Sequence, residues 1–144
     1  MITHFKDEHS WLSNFQKVKI EFEGRVYPSV EHAYIAAKSE DEGWRELCTS
    51  SKYRAGDLKQ ISREIELRDG WDDMKVFVMY DLLKKKFTQE PFRTKLLDTG
   101  DVELIEGNWW GDTFWGVDVN TDEGQNILGR LIMKIRREIR DGKY

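Results

Sequence analysis

The segment DGWDDMKVFVMYDLLKKKF, residues 69–87, constrains the fold most. Val76, Met79, Tyr80, Leu83 and Phe87 recur at helical spacing, so a long helix must bury one apolar stripe. Asp72 or Asp73 is its expected cap. A second stripe, Ile127, Leu128, Leu131, Ile135 and Ile139, runs through GQNILGRLIMKIRREI (124–139). Its basic far end suits the helix dipole. Shorter helices are expected over 29–38, 43–48, 54–66 and 91–99, the last with Pro91 in its first turn and Gly100 as its stop. VKIEFEGRVY (18–27) instead alternates, with Val18, Ile20 and Phe22 on one face and Glu23-Gly24 at the turn. VELIEG (102–107) and TFWGVDV (113–119) read as two short strands around the loop NWWGD. This pattern predicts the α+β class: one domain over 1–144, with several helices packed around a small, mostly antiparallel sheet.

Composition narrows the function classes. Hydrophobic residues make up 39% and charged residues 35% of the chain, which gives an ordered globular protein rather than a disordered one. The net charge of −4 argues against strong non-specific nucleic-acid binding. Lys84, Lys85, Lys86, Arg93 and Lys95 form a candidate local basic patch, or an ordinary solvated helix end. The single cysteine, Cys48, rules out an internal disulfide and a cysteine-based zinc cluster. It fits a reducing interior, the cytoplasm. No apolar run reaches signal-peptide or membrane-spanning length. There is no G-x-S-x-G, HExxH, Walker or Rossmann motif, and GQNILG (124–129) lies inside a helix pattern rather than in a phosphate loop.

The chemistry concentrates in YPSVEHAYIAAK (27–38). Ser29 is its expected cap. Glu31 and Lys38 are seven positions apart, within ~20° of one line on a helix and ~10 Å apart along its axis. The lysine leans back toward the glutamate, so a ligand over Ile35 can touch both. Ala33, Ala36 and Ala37 keep the helix slim, for close packing or for close ligand approach. The competing reading is a solvated charged face, with Glu31 complementing the dipole and His32 bonded to backbone. Asn14 stands between aromatics in WLSNF (11–15) and reads first as a turn residue. Trp71 and Lys75 lie one helical turn apart. NWWGDTFWG brings Trp109, Trp110 and Trp115 together around Asp112, which suits a stacking surface more than a core. Gly116 allows a ligand or a neighbour to approach the backbone.

The blocks LSNF (12–15), YPSVEHAYIAAK (27–38), W-x3-K-x3-M with LLKKKF (71–87), LLDTGDVELIEG (96–107), DTFWG (112–116) and NILGRLIM (126–133) stand in an order that resembles the NADAR family, the YbiA-like proteins. The resemblance runs from about residue 5 to about 138. It implies an N-glycosidase that frees a ribose from an amino-linked base. Two substrate classes follow: ADP-ribose on guanine in nucleic acid, which is preferred here with DNA as a candidate partner, and ribosylamino-pyrimidine phosphates of riboflavin synthesis. A module that holds ADP-ribose or NAD without chemistry is the competing class. A partner-docking protein is a third, and it predicts exposed Trp109 and Trp110 with no concave pocket beside them. No metal, cofactor or membrane association is implied, and the oligomeric state is left open.

Carried over position by position, the resemblance makes Glu31 and Lys38 the catalytic pair. Asn14 orients the ribose, Trp71 and Lys75 fall in the W-x3-K block with Lys75 toward phosphate, Asp112 and Trp115 line the base side, and Gly116 is a further substrate-binding position. His32 joins the substrate-binding set. The sequence departs from the family at VDVN after Gly116, where a small residue is expected near Asp118, and at NWW before Gly111. Two routes stay open. Lys38 can displace the base through a Schiff base with C1 of the sugar, with Glu31 moving protons. Alternatively, Glu31 can activate water against an oxocarbenium-like state, with Lys38 holding phosphate.

Overall fold

The computed structural model describes residues 1–144. The chain forms two compact units, Met1–Ser13 with Phe87–Tyr144, and Asn14–Lys86. The α+β class holds: six α-helices, two 3-10 segments and two small two-stranded sheets.

The unit Asn14–Lys86 is built on a hairpin. β1 (Lys17–Phe22) pairs antiparallel with β2 (Arg25–Ser29), with Ile20 opposite Tyr27 and Phe22 opposite Arg25. Val18, Ile20 and Phe22 are buried and the residues between them exposed, as the alternation requires. Glu23 and Gly24 both take positive φ, which matches the twist of a tight hairpin turn. The chain then enters α1 (Val30–Ala37), followed by α2 (Glu42–Cys48) and α3 (Ala55–Ile61), which a 3-10 turn over Ser62–Glu64 extends. Pro28 sits in β2, directly before Ser29, the cap of α1. Every residue of α1 is buried.

α4 (Trp71–Phe87) starts earlier than the sequence suggests. Trp71 is already helical, and the Gly70 carbonyl accepts from the Asp73 and Met74 N–H groups. Asp72 and Asp73 therefore occupy the first turn, where they favour the dipole instead of capping. Trp71, Val78, Met79, Leu82, Leu83, Lys86 and Phe87 are the helix residues that bury. Lys86 is fully buried and Lys85 is drawn to Glu21 and Asp81. Of the expected patch Lys84, Lys85, Lys86, Arg93 and Lys95, packing thus withdraws Lys86 and carboxylates engage Lys85.

In the other unit, an Ile2–Leu104 bridge ties the N-terminal segment to residues 103–105. β3 (Gly107–Asn108) and β4 (Val117–Asp118) pair parallel. The expected strands 102–107 and 113–119 thus shrink to two residues each, because side-chain hydrogen bonds hold most of the loop between them. α5 (Phe92–Asp98) ends at Gly100, whose φ is +61°. α6 (Ile127–Arg140) begins only after Asn126, which is left-handed at φ 52°. GQNILG therefore straddles the helix start rather than lying inside the helix.

Candidate functional site

α1 carries the site. The Ser29 hydroxyl accepts from the His32 N–H at 3.0 Å, the expected cap. The same oxygen lies 2.6 Å from His32 Nδ1, and His32 Nε2 lies 3.1 Å from the Tyr53 carbonyl. A carbonyl only accepts, so Nε2 carries a proton toward Tyr53. Both His32 ring nitrogens are engaged by the protein, as the backbone-bonded reading anticipates.

Glu31 is only 6% exposed, which removes the solvated-face reading for this carboxylate. Its N–H donates to the Asn14 carbonyl at 3.0 Å, so the loop carrying Asn14 is fastened to the first turn of α1. Asn14 is itself buried. Its Nδ2 donates to Met79 Sδ at 3.6 Å, while its Oδ1 is buried without a partner in the protein. Such an acceptor is costly to leave idle.

Lys38 caps the far end of α1 and is half-buried. Its ammonium stands 5.6 Å from the Tyr34 ring centre and 3.5 Å from Ser62 Oγ. Tyr34 in turn packs on Trp71 at 5.3 Å between ring centres. The ring one turn back from Lys38 is thus Tyr34. Ile35 is fully buried and offers nothing to a ligand. Burial pushes the Lys38 amine below its ordinary value, and Lys59, Arg63 and Lys75 push it the same way. Glu31 opposes them, so the acid and the amine feel one another across the helix. Lys75 also reaches Asp72 at 3.4 Å. Asn14, Glu31, Lys38, Trp71 and Lys75 therefore share one neighbourhood of this unit. Ala33, Ala36 and Ala37 are fully buried, so the slim face serves packing.

Three further expected residues belong to the other unit. Asp112 Oδ1 accepts from the N–H groups of Phe114 at 3.0 Å and Trp115 at 2.9 Å, which folds the loop. Trp115 is partly exposed and meets Phe114 edge-on at 4.9 Å. Gly116 is there for a protein neighbour, since a Cβ would run into the Glu106 carbonyl. Trp109 and Trp110 are 52% and 59% exposed, with the Lys6 ammonium 4.4 Å from the Trp109 ring centre. They form surface, as the stacking and docking readings both require.

Sequence reasoning missed Tyr34, Ser62, Lys59 and Arg63. Tyr34 was accessible through its i−4 spacing from Lys38. It also missed Asn108, which is fully buried. Its side chain donates to the carbonyls of Asp112 and Val117 and accepts from the N–H groups of Trp110 and Asp112. Cys48 is not a competing nucleophile, because burial pushes its thiol up to about 12. No group of three or more His, Cys, Asp or Glu side chains is arranged to hold a metal ion. No helix is long and apolar enough to cross a membrane.

The NADAR domain matches residues 2–140. A riboflavin biosynthesis protein of Vibrio vulnificus (strain YJ016) is 38% identical over 138 residues, 94% of this chain, but the match spans only 37% of that protein. The N-glycosidase YbiA of Shigella boydii serotype 4 is 34% identical over 136 residues, covering 92% of this chain and 83% of that protein. The solution structure of Escherichia coli YbiA superimposes with a TM-score of 0.83 at 28% identity, over 99% of this chain and 89% of that one.

Proposed function

The chain belongs to the NADAR domain family and is a hydrolase of N-glycosyl compounds, and from that premise we propose that Glu31 and Lys38 release a ribose from an amino-linked base. One observation carries the reading. A buried carboxylate and a half-buried amine with a lowered pKa sit on one helix beside the Tyr34–Trp71 ring pair. A carboxylate and an amine both drawn out of water on one helix mark a candidate functional site.

The Schiff-base route suits this arrangement best. A sugar on an exocyclic amine can ring-open to an iminium. The neutral Lys38 Nζ adds to C1 and forms a C–N bond. The base amine takes a proton by way of Glu31 and leaves as the old C–N bond breaks. The lysine iminium is then hydrolysed: water supplies the aldehyde oxygen, and the amine returns to Lys38. Lys59, Arg63 and Lys75, the cations that Lys38 feels, favour its neutral form and suit a phosphate on the same sugar. Asn14 Oδ1 would accept from a ribose hydroxyl.

Between substrates, we favour ADP-ribose on guanine in DNA. Exposed Trp109 and Trp110 support it as stacking surfaces for neighbouring bases, and the burial of Lys86 speaks against backbone binding through 84–86. The Vibrio relative's name favours a ribosylamino-pyrimidine phosphate instead. Offering the protein both substrates and following sugar release separates the two. Release from neither, with ligand binding retained, would make it a binding module and sink the proposal. The lone buried thiol suits a reducing compartment, the cytoplasm.

A further inference from the structure

A pocket of about 560 Å³ opens in the unit Asn14–Lys86, walled by the hairpin, α1 and the start of α3. Neither Glu31 nor Lys38 lines it. Its size is that of a small-molecule site.

Its chemistry is specific. Lys17 and Arg54 both line it, and neither side chain is held by a carboxylate or a hydrogen bond from the protein. Unspent cations on a concave wall are notable in a chain of net charge −4. Two rings accompany them: Tyr53 is 40% and Phe15 51% exposed, and the Lys59 ammonium lies 6.0 Å from the Phe15 ring centre. His32 forms part of the wall with both ring nitrogens already engaged, so it shapes the pocket without recognising a ligand. Asp57 adds one carboxylate, an acceptor for hydroxyl or amine hydrogens.

Cations for phosphate, rings for a base and a carboxylate for a ribose or an exocyclic amine together describe a nucleoside phosphate. We infer that this pocket takes a nucleoside diphosphate, with Lys17 and Arg54 on the phosphates and Tyr53 or Phe15 against the base. Its position fits the reacting centre. His32 follows Glu31 directly on α1, so the pocket wall lies about 100° round the same helix from the candidate acid. The inference deepens the ADP-ribosyl reading and rests on it: the far, nucleotide half of the substrate binds here while its sugar C1 faces Glu31 and Lys38. A ribosylamino-pyrimidine phosphate would leave the pocket empty.

The test is calorimetric titration of the full chain with ADP, with inorganic phosphate and with a short oligodeoxyadenylate. ADP is expected to bind more tightly than phosphate, and the double variant Lys17→Ala/Arg54→Ala to weaken ADP by about ten-fold or more. Both side chains are exposed, so the fold should be retained, and circular dichroism checks it. Tyr53→Ala is a second variant, expected to weaken ADP but not phosphate. An ADP affinity that the double variant leaves unchanged overturns the inference. So does an oligonucleotide that binds through the two cations where ADP does not. Binding is read without turnover, so this result stands apart from whether any N-glycoside is cleaved.

Discussion

The Lys38 ammonium stands 5.6 Å from the centre of the Tyr34 ring, one helical turn back on the same helix. The ring provides an apolar floor that keeps the amine partly out of water. Desolvation of that kind is what turns a lysine from a surface charge into a nucleophile. Neighbouring cations reinforce the effect, and Glu31 tempers it.

Lys38→Arg keeps a positive charge and removes the nucleophile. Sugar release is expected to fall by on the order of 10³-fold or more, with substrate affinity largely kept. Glu31→Gln is expected to cost about 10²- to 10⁴-fold in kcat. Steady-state kinetics on both variants checks the assignment. If Lys38→Arg turns over at the wild-type rate, the Schiff-base route is wrong.

The pH profile carries the sign of each neighbour. The neutral amine is the reactive form, so activity rises with pH through the lowered Lys38 pKa. Removing Arg63 or Lys59 takes away a charge that lowers it, and the rising limb moves to higher pH. Glu31 raises the same pKa, so the residual limb of Glu31→Gln moves to lower pH. Stability follows the matching rule: with the folded pKa below the unfolded one, Lys38 detracts from stability at neutral pH. That penalty is relieved as pH rises from the folded pKa toward 10.5. Profiles of kcat that do not move in any of these variants would contradict the coupling.

Ser29→Ala removes both the cap of α1 and the hydroxyl partner of His32 Nδ1. A loss of about 1–3 kcal/mol is expected. In a domain of this size that is a Tm drop of about 3–10 °C. Thermal unfolding measures it. Ser29→Thr, which retains the hydroxyl, should recover most of the loss.

Asn108→Ala strands buried donors and acceptors of the NWWGD loop. It should cost about 2–4 kcal/mol. Gly116→Ala should also destabilise, since its Cβ has no space beside Glu106. Urea titration with tryptophan fluorescence reports both. An unchanged midpoint in Asn108→Ala would mean that the loop is held otherwise.

The long helices were legible because periodicity survives in the sequence: α4 and α6 form over their stripes, although α4 buries Val78 and Leu82 more fully than the expected Val76 and Tyr80. The hairpin was legible for the same reason, at period two, with Glu23-Gly24 at its turn. The start of α4 was not, because Gly70 caps it through a backbone carbonyl that carries no side-chain signal. The strands near 102–119 were overcalled because Asn108 and Asp112 use side chains to satisfy backbone that a ladder would otherwise satisfy. At the site, the Glu31–Lys38 spacing was readable from helix geometry alone. The cations that Lys38 feels come from α3, the turn after it and α4, and only the tertiary fold brings them to α1.

The most direct test is reductive trapping. The protein is incubated with ADP-ribosylated guanine DNA, and separately with the ribosylamino-pyrimidine phosphate, in the presence of borohydride, and the digested chain is weighed by mass spectrometry. A sugar adduct on Lys38, formed with one substrate and absent in Lys38→Arg, is the predicted result. Full consumption of substrate with Lys38 unmodified would contradict it and leave direct attack by water as the reaction.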